Sequence, residues 1–144
     1  MADQDAMQIA QHGVEAFNAG DWGGLSADLT MDSVYEEPAT GRAVKGIEEI
    51  LAANRGWKAA FPDANGTITN ALTCGDTAVI EITWKGTQTG ELVGPMGTIP
   101  PTGRRITLKA VQVVEAERGK SKSTRHYFDL AGMLVQLGVA PARA

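Results

Sequence analysis

The hydrophobic period of this chain switches once, from 3.6 to 2 near residue 64, and that switch limits the fold more than any other feature. Before it, apolar residues recur every three or four positions. Met7, Ala10, Val14 and Phe17 make one stripe, with Asp3 and Asp5 at the helix start and Asn18-Ala-Gly20 as the stop. A second, short helix is expected after Asp21, with Trp22, Leu25 and Leu29 as its buried side. Ser33 to Glu37 reads as a brief extended piece ended by Pro38. Gly46 opens a third helix with Ile47, Ile50, Leu51, Trp57 and Phe61 inward, and Pro62-Asp63 closes it.

After the switch, residues 67–73, 77–88, 105–115 and 122–128 read as strands. The second alternates most clearly, with Ala78, Ile80, Ile82 and Trp84 on one face and Val79, Glu81, Thr83 and Lys85 on the other. Gly75-Asp76 and Glu117-Arg-Gly-Lys120 supply tight turns. Residues 89–103, with four glycines and three prolines, read as a loop long enough to cover something. The last strand runs straight into a helix at Leu130-Ala-Gly-Met-Leu-Val-Gln-Leu137. Helices first and a strand meander afterwards indicate an α+β fold. A strongly curved antiparallel sheet wrapping those helices makes a cone, which encloses more space than its own side chains fill. We find no repeat or linker, so residues 1–144 are expected to form a single domain.

Charge narrows the function classes. A net charge of −4 with scattered basic residues argues against nucleic acid, which needs a concentrated basic face. The basic cluster from Arg118 to Arg125 reads as a charged turn. No apolar run approaches a membrane span, and the acidic first residues do not resemble a signal peptide. The single cysteine, Cys74, fits a reducing cytoplasm and reads as a half-buried filler. Two histidines far apart in sequence give no metal-ligand spacing, so no metal site is expected.

Several stretches together resemble the SnoaL-like polyketide cyclases of the nuclear-transport-factor-2-like superfamily. They are Ala16-Phe-Asn-Ala-Gly20, Trp57-Lys-Ala-Ala-Phe-Pro-Asp63, Gly86-Thr-Gln-Thr-Gly90, Pro100-Pro-Thr-Gly-Arg104 and Phe128-Asp-Leu-Ala-Gly-Met-Leu-Val-Gln-Leu-Gly138. The resemblance implies a cone-shaped α+β barrel, with three N-terminal helices packed in a curved, mostly antiparallel sheet and a short C-terminal helix. It also implies a hydrophobic pocket, no cofactor, and a dimer or tetramer. Characterised members close a ring by intramolecular aldol condensation, using an aspartate on the last strand as acid and base. His126 stands at that position here, Gln112 lines up with a histidine of the preceding strand, and Glu37 with a pocket asparagine. Fold and activity separate at these three positions.

Strand parity points to the same residues. Thr124, His126 and Phe128 share one face of the last strand, and Gln112 lies among Ile106, Leu108, Ala110 and Val114 on the strand before. If those faces look inward, His126 and Gln112 are polar groups in an apolar wall. An unperturbed imidazole titrates near pH 6.5 and exchanges protons at neutral pH. Glu37 could orient it or share the proton. The plain structural alternative is a buried histidine satisfied by a backbone carbonyl or by Gln112. Asp129, on the opposite face and just ahead of a helix, reads as a cap. His12 lies off its helix's apolar stripe and reads as solvated. Val14, Phe17, Trp57, Phe61, Trp84, Thr124 and Phe128 are expected to line the pocket.

The expected function is therefore a cofactor-free enzyme acting on a small hydrophobic carbonyl compound by acid/base chemistry, with His126, Glu37 and Gln112 as catalytic residues. The alternative is a non-catalytic module that binds a hydrophobic small molecule. Val79, Val111, Val113 and Tyr127 on the outer sheet face suggest a homodimer.

Overall fold

A computed structural model describes residues 5–95 and 97–140. Three helices come first: α1 (Ala6–Ala19), α2 (Trp22–Ser26) and, after two short strands, α3 (Ile47–Ala60). Asp5 and Gln8 close α1 with reciprocal side-chain bonds to each other's backbone N–H. Gly20, at φ 66°, stops it. Asp3 lies outside the described residues. α2 ends at Ser26 and none of its residues is fully buried; Leu29 lies past it, half-buried. α3 stops at Ala60, so Phe61 caps it rather than extending its stripe, and buries its ring in the core.

Six strands make one curved sheet: β1 (Val34–Glu37), β2 (Arg42–Lys45), β3 (Asn65–Cys74), β4 (Thr77–Thr87), β7 (Arg105–Glu117) and β8 (Lys120–Phe128), in the order β2-β1-β8-β7-β4-β3. All pairs are antiparallel except β1 with β8. The period-2 reading places the long strands to within a few residues. It misses β2, a four-residue edge strand whose side chains are only exposed or half-buried. β7 and β8 meet at a two-residue turn with Arg118 at φ 53° and Gly119 at φ 76°, the paired positive angles that match sheet twist.

The segment 89–103 is not simply a loop. It carries a small hairpin, β5 (Leu92–Gly94) with β6 (Gly97–Ile99). The fully buried Gln88 side chain pins it. Its amide nitrogen donates to the carbonyls of Gly90, Ile99 and Pro100, and its oxygen accepts from the Thr102 N–H and hydroxyl. Gly90 rests on the end of α3 so closely that a Cβ would stand 2.1 Å from the Ala59 carbonyl oxygen.

The inner sheet face holds Ala78, Ile80, Ile82 and Val114 against Ile9, Ala10 and Val14 of α1. A second apolar cluster joins Phe61, Leu92, Ile106 and Leu108 to Met133 and Leu137, at the end closed by α4 (Leu130–Gln136). Asp129 caps α4 by accepting from the Gly132 N–H at 2.9 Å. Cys74 is exposed rather than half-buried, because edge strand β3 runs out past the helices and lies exposed from Thr69 onward. Among the described residues no helix is long and apolar enough to cross a membrane.

Candidate functional site

A cavity of about 120 Å³ lies between the helices and the inner sheet face. Its wall includes Val14 and Phe17 of α1, Trp57 of α3, Phe61, Trp84 of β4, Leu108 and Gln112 of β7, and Thr124, His126 and Phe128 of β8. Strand register explains the grouping. Gln112 sits opposite His126 and Val114 opposite Thr124, so one face of β7 and β8 presents all four inward. Phe17 meets Trp84 edge-on at 5.1 Å and Trp57 meets Phe128 edge-on at 5.7 Å. Gly66 makes room for Trp84, since a Cβ there would come within 2.5 Å of the indole. Asn18 holds Gly66 in place through both its backbone N–H and its carbonyl. That bond gives the Phe-Asn-Ala-Gly stretch a physical role.

No described residue of 89–103 lines this cavity. The segment packs on α3 instead, so it does not cover the cavity as the sequence suggests.

His126 is 8% exposed and is held from both sides. The Trp84 indole N–H donates to Nε2 at 3.3 Å. Nδ1 lies 3.1 Å from the Tyr35 hydroxyl, which spends its own hydrogen on Glu37 Oε2 at 2.5 Å. An indole only donates, and a phenol has one hydrogen. The imidazole is therefore neutral, with its hydrogen on Nδ1 and its lone pair on Nε2. Burial pulls the imidazole pKa down to about 4, against the opposing pull of the Glu37 charge. The expectation of an ordinary imidazole near 6.5 does not survive burial, and the ring's partners are Tyr35 and Trp84 rather than Gln112 or a carbonyl. Burial, and then the neighbouring Glu37 charge, raise the Tyr35 phenol well above its ordinary value, so it stays protonated.

Glu37 is fully buried but is not among the residues lining the cavity. Its carboxylate accepts from four side chains: the Tyr35 hydroxyl, the Trp57 indole N–H at 2.6 Å, the Thr40 hydroxyl at 3.0 Å and Arg42 Nη1 at 3.2 Å. Arg42 supplies the opposite charge, which is what makes a fully buried carboxylate tolerable. The structure thus brings His126, Gln112 and all seven expected pocket residues to one cavity, and sets Glu37 behind it, reached through Tyr35. The Gln112 amide has no side-chain or backbone partner among the described residues and faces the cavity. Sequence reasoning missed Tyr35. Its signal was the alternation in Ser33-Val-Tyr-Glu-Glu37, which puts Tyr35 and Glu37 on one face.

His12 keeps a solvated side chain as expected, 38% exposed, but it is also paired. Its Nδ1 lies 2.5 Å from Asp28 Oδ2, and Asp28 also lines the cavity. The hydrogen bond that the ring donates to the Asp28 carboxylate raises the His12 pKa, although partial burial opposes it. Among the described residues no group of three or more His, Cys, Asp or Glu is placed to hold a metal ion.

Residues 7–137 match the family of SnoaL-like polyketide cyclases. The chain belongs to that family. Solved structures with the same fold include TsrD from Streptomyces laurentii, at 30% identity and a TM-score of 0.79, over 93% of this chain and 95% of that one. IdmH from Streptomyces antibioticus is 27% identical with a TM-score of 0.78, over 93% of this chain and 99% of that one. A LEH-like epoxide hydrolase of M. tuberculosis shares the fold at 20% identity and a TM-score of 0.70, over 92% and 88% of the two chains. No match was found among curated proteins. SnoaL-like membership accounts for the cone-shaped α+β architecture and sets the coarse alternatives, an enzyme or a binding module.

Proposed function

We propose that this SnoaL-like protein is a cofactor-free acid/base enzyme that acts on a small hydrophobic carbonyl compound. The observation that carries the reading is the buried hydrogen-bonded chain from Glu37 through Tyr35 to His126, ending at the cavity wall. In this reading the substrate carbonyl oxygen accepts from the Gln112 amide. His126 Nε2, freed from its long bond to Trp84, takes a proton from the carbon beside the carbonyl. The electron pair of that C–H bond settles on the carbonyl oxygen as an enolate, which the amide dipole stabilises. The new imidazolium donates through Nδ1 to Tyr35 and so feels the Glu37 charge. The enolate then takes a proton at another carbon or attacks a second carbonyl, giving isomerisation or aldol ring closure.

The base is already unprotonated at pH 5, because its pKa is about 4. A second reading, a binding module without chemistry, is favoured by one observation: both imidazole nitrogens already have protein partners. Proton exchange separates the two. In D2O, the methyl protons of an acetylnaphthalene should exchange faster with the protein than without it, at a rate flat from about pH 5 to 8. His126→Gln should abolish the gain while the ligand still quenches Trp84 and Trp57 fluorescence. Quenching without exchange in the wild type would establish the binding module. Undiminished exchange in His126→Gln would remove His126 as the base.

A further inference from the structure

The last strand breaks its own alternation at the cavity wall. Phe128, His126 and Thr124 line the cavity at even spacing, and strict period 2 would place Lys122 there next. A bulge prevents it. Glu115 pairs with Ser123 and Ala116 with Ser121, which leaves Lys122 unpaired and exposed. The extra residue turns Ser121 inward, so Ser121 and Thr124 line the cavity together, with hydroxyls 3.3 Å apart.

Two hydroxyls carry two hydrogens, and the bond between them uses one. Neither hydroxyl has another partner among the described residues. Ser121 is 4% exposed and Thr124 is half-buried, so the spare hydrogen is within reach of a ligand when Thr124 carries it. In that arrangement Ser121 donates to Thr124, and a hydroxyl that accepts one bond donates the next more strongly. Val114 stands opposite Thr124 and packs against Ile9, Ala10 and Val14 of α1. A lone charge is costly in such surroundings, so the group that fits is neutral. Asp28 on the same wall is already engaged, His12 being one of its partners, and it weighs further against an anion. Thr124 and His126 are two residues apart on β8, roughly 7 Å at the usual strand rise. A bicyclic ring system bridges that gap with an oxygen at each end.

We infer that Thr124 is a specificity-determining residue of the cavity. Its hydroxyl donates to a second, neutral oxygen, ether or carbonyl, on the molecule taken up, and Ser121 positions that hydroxyl. The first oxygen, at Gln112, rests on the function proposed above; the second does not.

The test uses two acetylnaphthalenes of matching shape, one with a methoxy group on its distal ring and one with an ethyl group. Trp84 and Trp57 fluorescence gives the affinity of each. Thr124→Val should lower the methoxy-to-ethyl affinity ratio about fivefold, the worth of one neutral hydrogen bond, and Thr124→Ser should hold it. A ratio that Thr124→Val leaves unchanged overturns the inference, and so does one that Thr124→Ser lowers as far. If Thr124→Val does not fold, NMR of the wild type decides. The Thr124 hydroxyl proton should lie downfield with the methoxy compound relative to the ethyl one; a single position with both overturns the contact. If acetylnaphthalene binds no better than naphthalene, the carbonyl reading fails alone. Methoxynaphthalene against ethylnaphthalene then reads Thr124 by the same ratio. Failure of all these compounds to bind overturns both.

Discussion

Protonating His126 would set a second N–H against the Trp84 indole and bury a charge, so this residue makes the fold sensitive to acid. Its folded pKa of about 4 lies below the ordinary 6.5 of an unfolded chain. Between those values the unfolded chain binds more protons, so stability falls as pH drops from about 6.5 to 4 and the loss is complete below that. The shift corresponds to about 3 kcal/mol. His12 acts with the opposite sign: its pKa is raised, so its contribution is present below about 6.5 and is lost as pH rises through the raised value. Urea unfolding at pH 7, 5.5 and 4 should show the acid limb in the wild type. His126→Gln should flatten it, and an unchanged limb in that variant would assign the loss to other groups.

At the scale of elements, the segment 89–103 owes its shape to one side chain. Gln88→Ala would strip partners from the carbonyls of Gly90, Ile99 and Pro100 together, a cost of about 2 kcal/mol. Hydrogen exchange should then quicken across 89–103 and stay unchanged in β4 and β7; slow exchange in that segment would show the hairpin stands without Gln88. The periodic elements, by contrast, were legible in the sequence. Alternation along β4, β7 and β8 assigns the inner face, and with it Trp84, Gln112, Thr124, His126 and Phe128, because period 2 is a local property of the chain. Gln88 and the Asp28–His12 pair leave no such trace. Their partners are set by how segments 16 residues apart on either side of a turn, or in a glycine-rich stretch, come to lie together. The ordinary pKa read for His126 failed for the same reason, since burial is a property of the assembled cone.

The molecule as a whole presents one apolar face outward. Val79 pairs with Val113, and Val111 with Tyr127, which is 43% exposed, so these side chains share the outer surface of the sheet. The Glu115–Arg125 ion pair borders them. We expect two copies to meet on this face about a two-fold axis. Sedimentation at micromolar concentration should give twice the 15.2 kDa chain mass, and Val113→Glu should halve it. A wild-type monomer would leave the face a plain surface. The Glu37 carboxylate adds a constraint in time. Its neighbours Tyr35, Thr40, Arg42 and Trp57 are close in sequence, but the histidine that ends the chain of bonds follows Tyr35 by 91 residues. At the usual pace of synthesis, ribosomes need roughly 5 to 20 seconds to cover that distance. During that interval a negatively charged glutamate waits beside a half-built wall, in water. The cavity wall is complete only once the last strand arrives, because Thr124, His126 and Phe128 all come from it.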